Sequence, residues 1–75
     1  MMKRKRSLNY QQERFCNEYL INKLNATKAY MIAYPKVKKR STASVNGCRL
    51  LRNKAVRKRI AEIIGAAIAR INSTL

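Results

Sequence analysis

Apolar side chains recur at steps of three and four residues along most of the chain, which is the spacing of one face of an α-helix. No stretch shows the two-residue alternation of a half-buried strand. Residues 22–24, residues 35–40 and Asn53 interrupt the pattern and divide it into four runs. The sequence therefore predicts an all-α fold, a small helical domain of about four helices with a longer C-terminal helix.

The limits of the first two helices follow from residues that cap or stop helices. Asn9, followed three residues later by Gln12, predicts a capping box before a helix over about 10–21. Asn25 predicts the cap of a second helix. That helix ends near residue 34, because Pro35 disfavours helical backbone in the residue before it.

The third and fourth helices are predicted in the same way. Ser41 predicts the cap of a helix that runs to about residue 52, and Asn53 predicts the cap of a helix from 54 to about 72. At 100° per residue, one side of the third helix is small and apolar and forms the core side. The opposite side carries polar and basic residues that can form hydrogen bonds: Thr42, Asn46 and Arg49, flanked by Val45 and Arg52.

The charge of the chain restricts its function more than its length does. It has 18 Lys and Arg, 3 acidic residues and no His, for a net charge of +15. General acid–base catalysis usually depends on His or paired carboxylates, and a tetrahedral zinc site on four Cys or His ligands. We therefore expect no enzyme, no metal and no cofactor. We expect a polyanionic partner, for which nucleic acid is the default.

Basic residues are clustered where such a partner would bind. Residues 1–7 form a basic arm, and residues 36–40 place four cations beside the start of the third helix, where phosphate is also favoured by the helix dipole. The second and third predicted helices form a helix-turn-helix candidate, whose second helix would read base edges in the major groove. The alternative is a solvated helix face and a solubilising turn. The predicted DNA-binding residues are Lys3, Arg4, Lys5, Arg6, Lys36, Lys38, Lys39, Arg40, Thr42, Asn46, Arg49 and Arg52.

Two observations concern the compartment. The longest apolar stretch, residues 60–69, is interrupted by Glu62 and is shorter than the about 20 residues that a membrane span needs. Cys16 and Cys48 lie on apolar-leaning helix faces, which favours buried free thiols over a disulfide and fits a reducing cytoplasm.

The fourth predicted helix carries more isoleucine than a three-helix core of this size needs. The second half of its stripe, with Ile64, Ile68 and Ile71, lacks an obvious partner within the chain. These residues indicate contact between subunits in a homo-oligomer, contact with a downstream domain, or simple burial in a four-helix fold.

Five short motifs follow one another along residues 8–64. They read Q-E-R-F-C-N-E-Y-L (12–20), N-A-T-K-A (25–29), A-Y-P (33–35), C-R-L-L-R-N (48–53) and K-A-V (54–56). In this order and spacing they resemble the small subunit of phage terminases, the DNA-packaging recognition factor.

The resemblance implies a helix-turn-helix DNA-binding domain at residues 8–64. It implies recognition of the packaging initiation site on viral double-stranded DNA, in the cytoplasm of a bacterial host cell. A large terminase subunit, which supplies the ATPase and the nuclease, would be the protein partner. Residues 1–7 would be a flexible arm. Residues 65–75 would be the end of the C-terminal helix and a candidate start of an oligomerisation region.

Three other functions fit the helix pattern and the charge. The chain could be a small phage or bacterial helix-turn-helix transcription regulator, which the helix pattern alone does not separate from a terminase subunit. A cationic amphipathic membrane-active protein would gain helix only with anionic lipid. A ribosomal or RNA-chaperone protein would prefer RNA to duplex DNA.

Overall fold

The computed structural model describes residues 8–74, and the side chains of residues 8–70. Over that range it contains four α-helices and no strand: α1 (Tyr10–Ile21), α2 (Ala26–Ala33), α3 (Arg40–Arg52) and α4 (Lys54–Thr74). The predicted all-α fold with a longer C-terminal helix is therefore confirmed. The predicted basic arm at residues 1–7 and the side chain of Ile71 lie outside the described residues.

Asparagine side chains cap three of the helices in the described range. The Asn9 side chain accepts from the backbone N–H of Gln12 at 2.8 Å, and the Gln12 side chain accepts from the N–H of Asn9 at 3.1 Å. Asn25 accepts from the N–H of Lys28 at 2.9 Å. Asn53 accepts from two N–H groups in the first turn of α4, at 2.8 and 3.2 Å. The predicted capping box and both other asparagine caps are confirmed.

The predicted cap at Ser41 is wrong. The extended residue before α3 is Lys39, and its carbonyl already accepts from the N–H of Ala43 at 3.0 Å. Ser41 therefore lies inside the first helical turn instead of before it. No side chain caps α3.

Side chains from every helix form the core. Phe15 and Cys16 of α1, Ala29 of α2, Ala43 of α3 and Val56 of α4 are completely shielded from solvent. α2 packs between α1 and α3, and α4 closes the other side against the same two helices. The core is small, so each of these buried side chains contributes a large share of the packing that stabilises the fold.

The closest approach between α2 and α3 occurs at Gly47. A Cβ atom added there would lie 2.9 Å from the carbonyl oxygen of Ala26 and 3.3 Å from its Cβ. The start of α2 therefore rests directly on the backbone of α3. This contact fixes which side of α3 faces inward.

The turn between α1 and α2 closes with a Schellman pair of hydrogen bonds. The N–H of Lys23 bonds to the carbonyl of Leu20 at 3.3 Å, and the N–H of Leu24 bonds to that of Tyr19 at 2.7 Å. Lys23 (φ 56°) and Leu24 (φ 67°) both adopt the left-handed conformation. Lys23 occupies the position where helices usually place glycine.

Candidate nucleic-acid interface

α3 turns one side inward and the other to solvent. Ala43 and Gly47 are buried against the neighbouring helices, and Leu50 and Leu51 are half-buried beside them. After Arg40, which begins the helix, the exposed residues of α3, which we call the outer face, are Ser41, Thr42, Ser44, Val45, Cys48, Arg49 and Arg52.

The residues predicted to read bases do not have equivalent surroundings. Thr42 and Arg49 are exposed on the outer face. Asn46 is half-buried at its edge, and its amide nitrogen donates to the hydroxyl of Tyr30 on α2 at 3.4 Å. An amide has two donor hydrogens and a carbonyl oxygen, so Asn46 keeps hydrogen-bonding capacity beyond this long contact.

Val45 lies nearer the middle of the outer face than Asn46 does, with 55% of its surface exposed. It is two residues from both Ala43 and Gly47, so its direction differs by about 160° around the helix axis from that of each. Sequence reasoning placed Val45 only on the flank. The steps of four, three and four that join residues 41, 45, 48 and 52 are the signal that marks the centre of this face.

The segment before α3 presents the predicted basic turn. Lys36, Lys38, Lys39 and Arg40 are all exposed, whereas Val37 packs against the core. The N–H of Val37 also bonds to the carbonyl of residue 34 at 2.9 Å. An inward-facing valine thus anchors the turn and directs the cations beside it to solvent.

The N-terminus of α3 opens onto this turn. Because no side chain caps α3, the first N–H groups of the helix have no capping acceptor from the protein. The partial positive charge of the helix end adds to the charges of Lys38, Lys39 and Arg40. The arrangement suits an anion such as a phosphate group.

Comparison with known protein families matches residues 8–74 to the terminase small subunit. The chain belongs to the terminase small subunit family. The match covers all four helices, so it includes the outer face of α3 and the basic turn. It confirms the resemblance drawn from the five motifs. No curated protein and no solved structure matches the chain.

The acidic residues of this terminase small subunit chain lie on α1 and α4. Glu13 on α1 and Glu62 on α4 both pair with Arg59, with N···O distances of 2.9 and 3.3 Å. Glu18 pairs with Arg14 on α1 at 3.3 Å. All three acidic side chains of the chain therefore form ion pairs on α1 and α4, and none lies on α3.

The half of the chain that contains the interface has no acidic residue at all. Residues 25–54 include eight cations and no Asp or Glu: Lys28, Lys36, Lys38, Lys39, Arg40, Arg49, Arg52 and Lys54. A surface with charges of one sign raises the local concentration of an oppositely charged partner. Residues 25–54, which contain α3 and its preceding turn, therefore carry a formal charge of +8 of the chain's +15.

The two cysteines differ, and the expectation that both are buried is wrong for Cys48. Cys16 is buried in the core, where its thiol lies 3.8 Å from the carbonyl oxygen of Val56. Burial raises the pKa of Cys16 to about 11, and the negative charge of Glu13 adds to this shift. Cys48 is exposed because Gly47, one residue earlier, takes the inward position on α3.

The described residues form neither a metal cluster nor a membrane-spanning helix. No group of three or more His, Cys, Asp and Glu side chains lies close enough together there to hold a metal ion. Within the same range, no helix has the length and apolar character to cross a membrane.

Proposed function

We propose that this chain is a non-enzymatic DNA-binding domain that places α3 in the major groove of double-stranded DNA. The observation that carries the proposal is the exposed outer face of α3 beside an uncapped helix N-terminus and four exposed cations. A recognition helix in a helix-turn-helix protein presents its first turns to base edges in this way. α2 and the connection 34–39 supply the rest of that motif.

The basic turn before α3 supplies the contacts to DNA phosphates. Lys36, Lys38 and Lys39 are exposed ahead of α3, and Arg40 is exposed at its first position, so that these cations can reach the DNA backbone on one side of the groove. The free N–H groups at the start of α3 can bind a phosphate directly. Such contacts position the protein on the duplex and carry no sequence information.

The outer face of α3 supplies the contacts to the bases. Thr42 and Arg49 are exposed there, and arginine pairs bidentately with guanine in the major groove. Asn46 can pair with adenine from the edge of the face. Arg52 lies one turn beyond Arg49, at the last position of α3, where it can bind a phosphate.

The cellular role follows from the family. The duplex is the packaging initiation site of a viral genome, and the domain delivers it to a large terminase subunit that supplies the ATPase and the nuclease. This work takes place in the cytoplasm of an infected bacterium. Membership of the terminase small subunit family supports this role.

A second copy of the chain would bind along α4. Ile64 and Ile68 are 41% and 52% exposed on one flank of this helix, whereas Ile60 and Ile63 pack against the core. We expect weak, concentration-dependent dimers in sedimentation equilibrium. The change Ile68→Lys should abolish them, and a stable ring of this chain alone would contradict a weak contact.

The salt dependence of binding tests the DNA interface. Fluorescence anisotropy with a random-sequence 30-base-pair duplex should give a slope of log K against log salt of about −4 to −5, for about five neutralised phosphates. Lys38→Gln or Lys39→Gln should each make the slope shallower by about 1. Lys58→Gln removes the same charge from α4 and is the matched control. A wild-type slope shallower than about −1 would contradict the proposal.

Competition separates DNA binding from the other functions. A duplex RNA of the same sequence should compete poorly, because its deep and narrow major groove does not admit a helix. Thr42→Ala and Arg49→Ala should each cost about 1–3 kcal/mol of preference for a selected site over a scrambled duplex. Equal competition by the RNA would instead favour an RNA-binding protein.

A further inference from the structure

The outer face of α3 has an apolar centre that the hydrogen-bonding residues do not explain. We propose that Val45 contacts the C5-methyl group of a thymine in the major groove and thereby helps to determine sequence preference. This inference rests on the proposed DNA-binding function and assigns a reader to one base of the site.

The geometry places Val45 at the surface that would enter the groove first. It lies in the first half of α3, and the residues next to it on the same side of the helix, Ser41 and Cys48, have short side chains. Neither can cover the valine, and more than half of its surface is open. Arg49, one turn further along, is also exposed and can contact a neighbouring base pair.

The chemistry of the groove limits what Val45 can contact. Purine and cytosine edges present hydrogen-bond donors and acceptors in the major groove, and only thymine presents a methyl group there. A valine pressed against a donor or an acceptor would leave that group buried without a partner, which is costly. Against a methyl group, the same side chain removes apolar surface from water on both sides.

The surrounding charge makes the valine a poor site for other partners. Arg49, Arg52 and the basic turn surround it, and no carboxylate lies between residues 25 and 54. An apolar protein surface would have to desolvate these cations in order to reach Val45, whereas DNA supplies phosphates for them. The same face therefore favours a base with a methyl group over an apolar partner protein.

Uracil substitution tests the inference directly. A binding site is first selected with the full chain from a library of random duplexes, and each thymine in it is then replaced singly by uracil, which removes only the C5-methyl group. We expect one position at which uracil weakens wild-type binding about fourfold, the effect of losing one buried methyl group. The Val45→Ala variant should bind the thymine and uracil duplexes equally at that position.

Matched variants keep the result interpretable. Val45→Thr preserves the shape of the side chain and one of its methyl groups, so this variant should retain part of the discrimination between thymine and uracil. Circular dichroism verifies that both Val45 variants fold, as expected for an exposed position. Ser44→Ala, an exposed neighbour, should leave the uracil profile unchanged.

Three results would overturn the inference. The selection could yield no sequence preference, uracil could have no effect at any position, or Val45→Ala could keep the wild-type sensitivity at the same thymine. In each case salt-dependent binding to duplex DNA would leave the proposed function standing. Absence of any duplex binding would remove both.

Discussion

The same substitution at the two glycines should change stability in opposite directions. At Gly65, on the exposed part of α4, an added Cβ would meet no atom within 4 Å. At Gly47, it would lie 2.9 Å from the carbonyl oxygen and 3.2 Å from the carbonyl carbon of Ala26. Both glycines lie inside helices, so the intrinsic gain from alanine is similar in the two cases.

The magnitudes can be estimated separately. Replacing glycine by alanine in a helix interior stabilises by about 0.5–1 kcal/mol, and Gly65→Ala should show this gain. In Gly47→Ala the obstacle is backbone, which cannot rotate away as a side chain can, and overpacking of this kind costs about 1–3 kcal/mol. The two variants should therefore differ by about 1–3 kcal/mol, with Gly47→Ala the less stable.

Urea unfolding followed by far-ultraviolet circular dichroism measures both variants against the wild type. For a domain of this size, 1 kcal/mol corresponds to about 4–8 °C in the melting temperature, so thermal melts are an independent check. Equal stabilisation by both alanines would refute the reasoning, since it would mean that α2 does not rest on α3 at Gly47. It would also remove the argument for which side of α3 faces outward.

Three further predictions follow from local features. A thiol reagent at neutral pH should label Cys48 and not Cys16 in the folded protein. The free energy of unfolding should also fall as pH rises from 9.0 to about 11, because the unfolded Cys16 thiol ionises while the folded one stays protonated. Cys16→Ala should reduce this dependence without removing it, since burial also raises the pKa of Tyr34. Lys23→Gly should stabilise by about 0.5–1 kcal/mol in urea unfolding, since glycine adopts the left-handed conformation without strain; no gain would contradict the Schellman turn. Glu13→Gln breaks a part-exposed ion pair with Arg59 and should cost less than about 1 kcal/mol, with the loss shrinking in 1 M salt; a salt-independent loss would point to packing.

The family, the four helices and the three asparagine caps could be predicted because they depend on local sequence. Asn9 accepts a hydrogen bond from Gln12, three residues later, and Asn25 accepts one from Lys28 at the same separation. Interactions of this range form inside a single turn of helix, so neighbouring residues suffice to specify them. The net charge and the motif order, which pointed to the terminase small subunit, are likewise properties of the chain itself.

The residues of the interface were predicted only in part. Exposed cations in the turn could be expected, since four of them in five residues cannot all be buried. The position of Asn46 could not, because it depends on a hydroxyl 16 residues away on α2. Val45 was named but assigned to the flank, since the predicted outward side was centred on its hydrogen-bonding residues, whereas packing on α2 leaves Asn46 half-buried and Val45 exposed.

By itself, the sequence determined where the helices lie, what charge they carry and to which family the chain belongs. The small apolar residues of α3 also predicted its core side, where Ala43 and Gly47 are buried. Only the tertiary structure decided where that buried side ends, and with it the exposure of Val45 and Cys48. The physical reason is the contact between Gly47 and Ala26, which joins two helices at a distance that only a residue without a side chain permits. That contact turns the outer face of α3 to solvent, where we propose that it binds DNA.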